Sequence, residues 1–286
     1  MIGGRAEGKF RNYIYDAETG VVNFDFAIGA DFCDPVEIHV HELPAVVEAE
    51  AAPVFVETGD KIIRVWDAPC GEPGASLLEW FTTEKLIWDR SRGRAGIECF
   101  DRYSEAATYD LLYVGIAKVG DSFDRLIKRG HKARMEILSN ELQRYPGARV
   151  TDEIYLFLFN VQPLIMTTFD LNHDFETEDF NGDFDHKRIV TDAEKAFVKL
   201  LDPEYNVVKF KNYPKGADSL YGSGFDRYGY AICEALSFST THGRFRGSRN
   251  EATGIITNDA DCIFIEGDTV KLFVSGVDFP EEPPRE

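Results

Sequence analysis

Over the first 95 positions apolar residues alternate with polar ones or gather in short runs: "GVVNFDFAIGADF", "VEIHVHEL", "PVFVETG" and "KIIRVWDAP". Alternation with a period of two puts successive side chains on opposite faces of an extended chain. The Gly, Pro and Asp residues between the runs interrupt pairing, so the pattern predicts short strands joined by turns. "GASLLEWFTTEKLIWDRS" reads instead as a short helix ending near Arg92. Residues 1–95 are therefore expected to form a β-rich module, either a small barrel or sandwich or a decoration on the next domain.

The pattern then changes. "GIECFDRY" and the clearer "YDLLYVGIAK" read as two strands separated by the turn-like "SEAAT". In "DSFDRLIKRGHKARMEILSNELQRY" the apolar positions Phe123, Leu126, Ile127, Ile137, Leu138 and Leu142 fit helical spacing. Asp121 or Ser122 is placed to cap the start and Gly130 to split or kink the helix. "DEIYLFLFNV" is apolar enough for a central, buried strand. The acidic, aromatic stretch within 167–188 has no clean period and reads as an inserted loop. A helix is expected from Asp192 to about Leu201, with Ala196, Phe197, Leu200 and Leu201 on its apolar side. Residues 216–286 return to strand patterns and end in the acidic "DFPEEPPRE".

Composition narrows the classes. Hydrophobic residues make up 44% of the 286, enough for a substantial core, and no run approaches the roughly 20 apolar residues of a membrane helix. Five cysteines stand apart with no CxxC pair, which argues against a zinc ribbon or a disulfide framework. That usage, and an opening stretch without the apolar core of a secretory signal, lead to the expectation of a cytoplasmic protein. The net charge of −19 disfavours a simple coat for nucleic acid. Its distribution is uneven, however. Residues 96–150 carry nine basic and eight acidic side chains and residues 191–215 carry five and four, whereas every other segment is strongly negative. Those two segments are the ones able to face a polyanion.

The same two segments hold the chemistry-bearing motifs. Tyr113-Val114-Gly115 closes the second strand, with Lys118 just beyond it. Phe123 and Arg125 open the next helix, and His131 comes after them. Glu194 precedes Phe197-Val198, Pro203 and Tyr205-Asn206 in a "P-x-Y-N" ending. In order and spacing, about residues 96–213 resemble the GIY-YIG nuclease superfamily, whose members include homing endonucleases, a nucleotide-excision repair nuclease and some restriction enzymes. The resemblance implies an α/β (α+β) fold: a small core at 96–215 with a mixed or antiparallel central sheet flanked by helices. The insertion 167–188 would interrupt that core, and β-rich segments would lie at 1–95 and 216–286. It also implies metal-dependent cleavage of phosphodiester bonds, with nucleic acid, most simply double-stranded DNA, as partner.

The resemblance assigns roles as well. Glu194 would hold Mg²⁺ or Mn²⁺; a lone carboxylate suits an ion that keeps most of its water shell. Arg125 would present its planar fork to the scissile phosphate. Tyr113 or His131 would activate water, and Tyr103, at the end of "GIECFDRY", would take the place of the family's first tyrosine. Lys118, Lys128 and Arg129 would bind substrate, and Asn206 would tie the end of the glutamate helix to the active-site strands.

Each residue also has a simpler reading. Glu194 can be a first-turn carboxylate favoured by the helix dipole, Asp202-Pro203 an ordinary helix stop, and the basic residues from Arg125 to Arg134 one solvated helix face. The chief alternative is a catalytically inactive domain that binds protein or nucleic acid, the acidic flanks serving a protein partner. A β-rich ligand-binding protein with a chance motif ranks below it. Outside these motifs, "HVH" at His39 and His41 has a spacing that some metal sites use, with no third ligand apparent nearby in the sequence.

Overall fold

The computed structural model of the protein describes residues 1–51, 53–116, 131–162, 164–166, 185–223 and 225–278. Strand β1 (Ile2–Gly4) leads into an antiparallel meander of β2 (Gly8–Asp16), β3 (Val21–Ile28) and β4 (Phe32–His39). A short helix α1 (Pro44–Ala49) comes next, then a second meander of β5 (Phe55–Gly59), β6 (Ile62–Trp66) and β7 (Leu77–Thr82). After it stand α2 (Thr83–Arg90), β8 (Ile97–Glu98), the single turn α3 (Tyr103–Ala106) and β9 (Thr108–Tyr113). The described chain continues with α4 (Lys132–Asn140), β10 (Ile154–Leu156), β11 (Leu164–Met166) and the long helix α5 (His186–Leu201). It closes with β12 (Arg227–Ala231), β13 (Ser237–Thr240), β14 (Gly243–Arg246), β15 (Cys262–Glu266) and β16 (Thr269–Phe273).

Strand accounts for 34% of the structure and helix for 20%, so the protein is mixed α/β and mostly β. Its four sheets run β10-β1-β9-β13-β14, β11-β12-β15-β16, β2-β3-β4-β8 and β5-β6-β7. The first is mixed: β1 pairs antiparallel with both β9 and β10, β13 lies parallel to β9, and β14 returns antiparallel. The alternating runs of the N-terminal segment form β3, β4, β5 and β6 as their pattern requires, and they bury Val22, Phe24, Phe26, Val36, Ile38, Ile63 and Val65. Among the described residues no helix is long and apolar enough to cross a membrane.

Four local expectations are corrected. "GASLLEWFTTEKLIWDRS" is a strand followed by a helix: β7 pairs with β6 along its length, and α2 starts only after Thr82, whose hydroxyl accepts from the Lys85 N–H at 3.1 Å. The strand is held because Phe81 is fully buried, while the equally inward Glu79 is met by Lys85 and Arg94. "DEIYLFLFNV" supplies only the three residues of β10, at the edge of its sheet and not at its centre. "GIECFDRY" does not pair with β9; its Ile97–Glu98 pairs with β4. The place between β9 and β10 is taken by Ile2–Gly4, so residues from the expected N-terminal module lie within the central sheet, as do β13 and β14 from the far end of the chain. Long-range pairing decides this arrangement, and local hydrophobic pattern carries little information about it.

Candidate functional site

The helix bearing Glu194 begins earlier than its pattern suggests. Asp185 is the N-cap of α5, its carboxylate accepting from the N–H groups of Lys187 at 3.0 Å and Arg188 at 3.4 Å. Thr191, just before the expected start, donates its hydroxyl to the Lys187 carbonyl at 2.8 Å inside the helix. Glu194 therefore sits in the middle of α5. There the end charges of the helix dipole no longer reach it, and the simple first-turn explanation for this glutamate falls away.

The face of α5 that carries Ile189, Ala193, Ala196, Phe197, Val198 and Leu201 is buried. Leu200, expected with them, is partly buried against the same core. The helix is also fastened through Asp192, which is fully buried. It accepts hydrogen bonds from the Tyr213 hydroxyl at 2.7 Å, the Tyr230 hydroxyl at 2.9 Å and the Leu220 N–H at 2.8 Å. Burial pushes the Asp192 carboxyl above its ordinary value, against the pull of those donors, and pushes both tyrosine hydroxyls far up. Positions two apart on a helix point in different directions. With Asp192 anchored in the core, Glu194 is turned toward a cavity of about 1020 Å³.

Tyr113 and His131 line that cavity together with Glu194. Tyr113 is the last residue of β9, and His131 immediately precedes α4 as its N-cap. Their rings meet edge to face, with centroids 5.2 Å apart. Gly115 makes room for this arrangement: a Cβ there would lie 2.5 Å from Cε1 and 2.6 Å from the hydroxyl oxygen of Tyr113, so any side chain would push the ring aside. His186 and Lys187, from the first turn of α5, line the same cavity, as do Ile2 of β1 and Phe157 and Phe159. The pattern of "DHKR" gave no reason to separate these two basic residues from the insertion.

The ending after α5 is laced onto β9. Asp202 closes the helix in a left-handed conformation with φ 46°, and its N–H donates to Val198. The Tyr205 N–H then donates to the Leu112 carbonyl at 3.1 Å, and the Tyr205 hydroxyl to Glu141 of the loop after α4 at 2.8 Å. Burial and that contact push the Tyr205 hydroxyl up to about 12. Asn206 is buried and grips both main-chain groups of Val114. Its oxygen accepts from the Val114 N–H at 2.9 Å and its Nδ2 donates to the Val114 carbonyl at 2.8 Å. The "P-x-Y-N" residues thus join the end of the Glu194 helix to the Tyr-Val-Gly strand.

Tyr103 stands elsewhere. It opens α3, its hydroxyl donates to Glu251 at 3.2 Å, Arg90 lies over its ring, and it does not line the cavity. The strand beside β9 carries Ile2, Gly3 and Gly4 and no tyrosine. Lys118, Arg125, Lys128 and Arg129 lie outside the described residues, as does most of the acidic insertion. The chain has no significant match among protein-family models, curated proteins or solved structures.

Proposed function

We propose that β1, β9, β10, α4 and α5 form a GIY-YIG-like core that cleaves phosphodiester bonds in DNA as a metal-dependent endonuclease. The observation that carries this reading is the joining of two distant motifs. Tyr113, His131 and Glu194 line one cavity, and the Asn206 side chain binds the N–H and carbonyl of Val114. A chance resemblance gives no reason for residues 92 apart in sequence to be fastened in this way.

The donor set fits Mg²⁺ or Mn²⁺. Two partly exposed carboxylates line the cavity; Glu234 is paired with Arg92, and Glu194 faces a space roomy enough for an ion with its waters and substrate oxygens, the arrangement Mg²⁺ favours. Bound there, the ion would supply charge neutralisation at the phosphate and a more acidic water. The protein's part is to orient and to move protons. Tyr113 or His131 takes the proton of the attacking water as its oxygen bonds to phosphorus and the bridging P–O bond breaks; the departing oxygen keeps the bond's electron pair and takes a proton from solvent. Arg125 is assigned the phosphate oxygens, with Lys118, Lys128 and Arg129 along the backbone. Lys187 adds positive charge at the cavity itself, with His186 beside it. Tyr103 is away from the cavity, β1 has no tyrosine, and the hydroxyl of Tyr230, which also lines the cavity, is committed to Asp192, so proton transfer is assigned to the Tyr113–His131 pair.

The strand Ile2–Gly4 favours one competing reading, a GIY-YIG-like domain that binds nucleic acid or protein without cutting. Incubation of the protein with supercoiled plasmid and Mg²⁺ or Mn²⁺ decides between them. A nuclease converts the plasmid to nicked and linear forms, and chelation stops the conversion. A binding domain shifts the plasmid's mobility and leaves it closed.

A further inference from the structure

A second cluster of metal-ligand type lies in a different sheet and shares no residue with the cavity. Glu37 and His39 are two positions apart on β4 and so project from the same face. Glu98 of β8 is directly opposite Glu37 in the antiparallel register. Gly96 permits this pairing. It holds φ +79°, and a Cβ there would come within 2.9 Å of the His39 carbonyl oxygen, so only glycine lets the chain turn this closely onto β4. The His39 N–H donates to the Gly96 carbonyl at 2.9 Å and pins the turn.

The side chains converge on one point. His39 Nε2 lies 3.5 Å from a carboxylate oxygen of Glu37 and 3.5 Å from one of Glu98, and the three ligand atoms are all within 4.8 Å of one another. That separation is informative. A protonated imidazole shared with a carboxylate closes to about 2.7–2.9 Å. Ligand atoms around a tetrahedral zinc, each about 2.0–2.2 Å from the ion, stand about 3.4 Å apart. Nε2 is shielded from solvent and has no hydrogen-bond partner among the described residues. The opposite ring nitrogen lies 3.8 Å from Glu42, a carboxylate placed to orient the ring. Two carboxylates directly opposite on paired strands repel each other, and a cation between them removes that penalty.

We infer that Glu37, His39 and Glu98 form a binding site for a divalent transition-metal ion, zinc above all, that staples β8 to β4. Three protein ligands leave a fourth position for water. Cys99, next in the chain and hydrogen-bonded to Glu37, stands beside the trio as a further donor. His41, the other histidine of "HVH", takes no part. It lies beyond the strand in a helical turn and its ring packs against Gly20.

Titration of the chelator-stripped full chain with zinc chloride, followed by calorimetry, tests the site. One equivalent should bind with a dissociation constant at or below micromolar. Glu98→Gln, at an exposed position where folding is not at stake, should weaken binding at least tenfold, and His39→Ala should abolish it. His41→Ala and Glu204→Gln should bind as the unaltered chain does. Absence of saturable binding would overturn the inference. So would binding that survives Glu98→Gln and His39→Ala, which would place the ion elsewhere in the chain, or binding lost with His41→Ala or Glu204→Gln.

Discussion

Replacing Asn206 by alanine removes the side chain that spans from the end of α5 to Val114. The deletion strands two main-chain groups of a buried residue, the Val114 N–H and its carbonyl, at 2.9 and 2.8 Å from their former partners. An unsatisfied buried polar group costs about 1–3 kcal/mol. Val114 borders the cavity, so entering water offsets part of the loss, and the net cost should be about 3 kcal/mol. For a chain of this size that lowers the melting temperature by about 6–12 °C. Asn206→Asp sharpens the test, because the shape is kept and only the donor is lost. Its ionised carboxylate would still accept from the Val114 N–H but would face the Val114 carbonyl without a proton. Only the neutral acid reproduces both bonds, so folding raises the pKa of the new carboxyl. The stability of that variant is then fully present below the ordinary carboxylate value of about 3.9 and is lost as pH rises through the raised value. Thermal melting followed by circular dichroism at about pH 5 and about pH 8 should therefore show Asn206→Asp recovering toward the unaltered chain at the lower pH, with Asn206→Ala unmoved relative to it. An Asn206→Ala protein melting within about 1 °C of the unaltered chain would refute the claim that this side chain fastens helix to strand.

Three further outcomes are expected. Gly115→Ala should displace the Tyr113 ring from His131 and lower the cleavage rate by about tenfold or more, since ångström-scale misplacement is costly, while shifting stability by less than about 1 kcal/mol; rates equal to the unaltered chain's would separate Tyr113 from the chemistry. Asp192→Asn should change the pH dependence of stability. The Asp192 carboxyl is raised by burial, so its contribution is fully present below its unfolded value and lost as pH rises through the folded one; the unaltered chain should lose ground to the variant over the pH range above about 4. A melting-temperature difference between the two that stays constant or moves the other way over that range would contradict the assignment. Glu194→Ala should melt within about 1 kcal/mol of the unaltered chain, because alanine favours a helix interior and Glu194 faces the cavity and not the core.

The strands of the N-terminal meanders were legible because one face of each is buried, which stamps a period of two on the sequence. The link between Tyr113-Val114-Gly115 and Tyr205-Asn206 was legible as a pair of motifs, although the bonds that join them were not. What local pattern could not convey was partnership across the chain. Ile2-Gly3-Gly4 is too short to show a period, yet it sits between β9 and β10, so Tyr103 was assigned a place that another segment fills. The first turn of α5 was hidden because "HKR" looks like the end of a polar loop, and its role shows only when Asp185 is seen to cap it. Asp192 reads as a helix-start residue, and only its contacts with Tyr213, Tyr230 and Leu220 reveal a buried anchor. The carboxylates around His39 were likewise invisible as a group, because Glu98 reaches Glu37 through strand pairing across sixty residues of chain.

The central claim is that Glu194 does chemistry in the cavity it shares with Tyr113 and His131. It is tested most directly by the rate at which purified protein relaxes supercoiled plasmid in Mg²⁺ or Mn²⁺, measured for the unaltered chain, Glu194→Ala and Glu204→Gln. Glu204 is the matched control, an exposed carboxylate of the same motif that does not line the cavity. The expected result is metal-dependent cutting by the unaltered chain and by Glu204→Gln, and none by Glu194→Ala although it remains folded. Cutting by Glu194→Ala at the unaltered rate, or no cutting by the unaltered chain with either metal, would contradict the account.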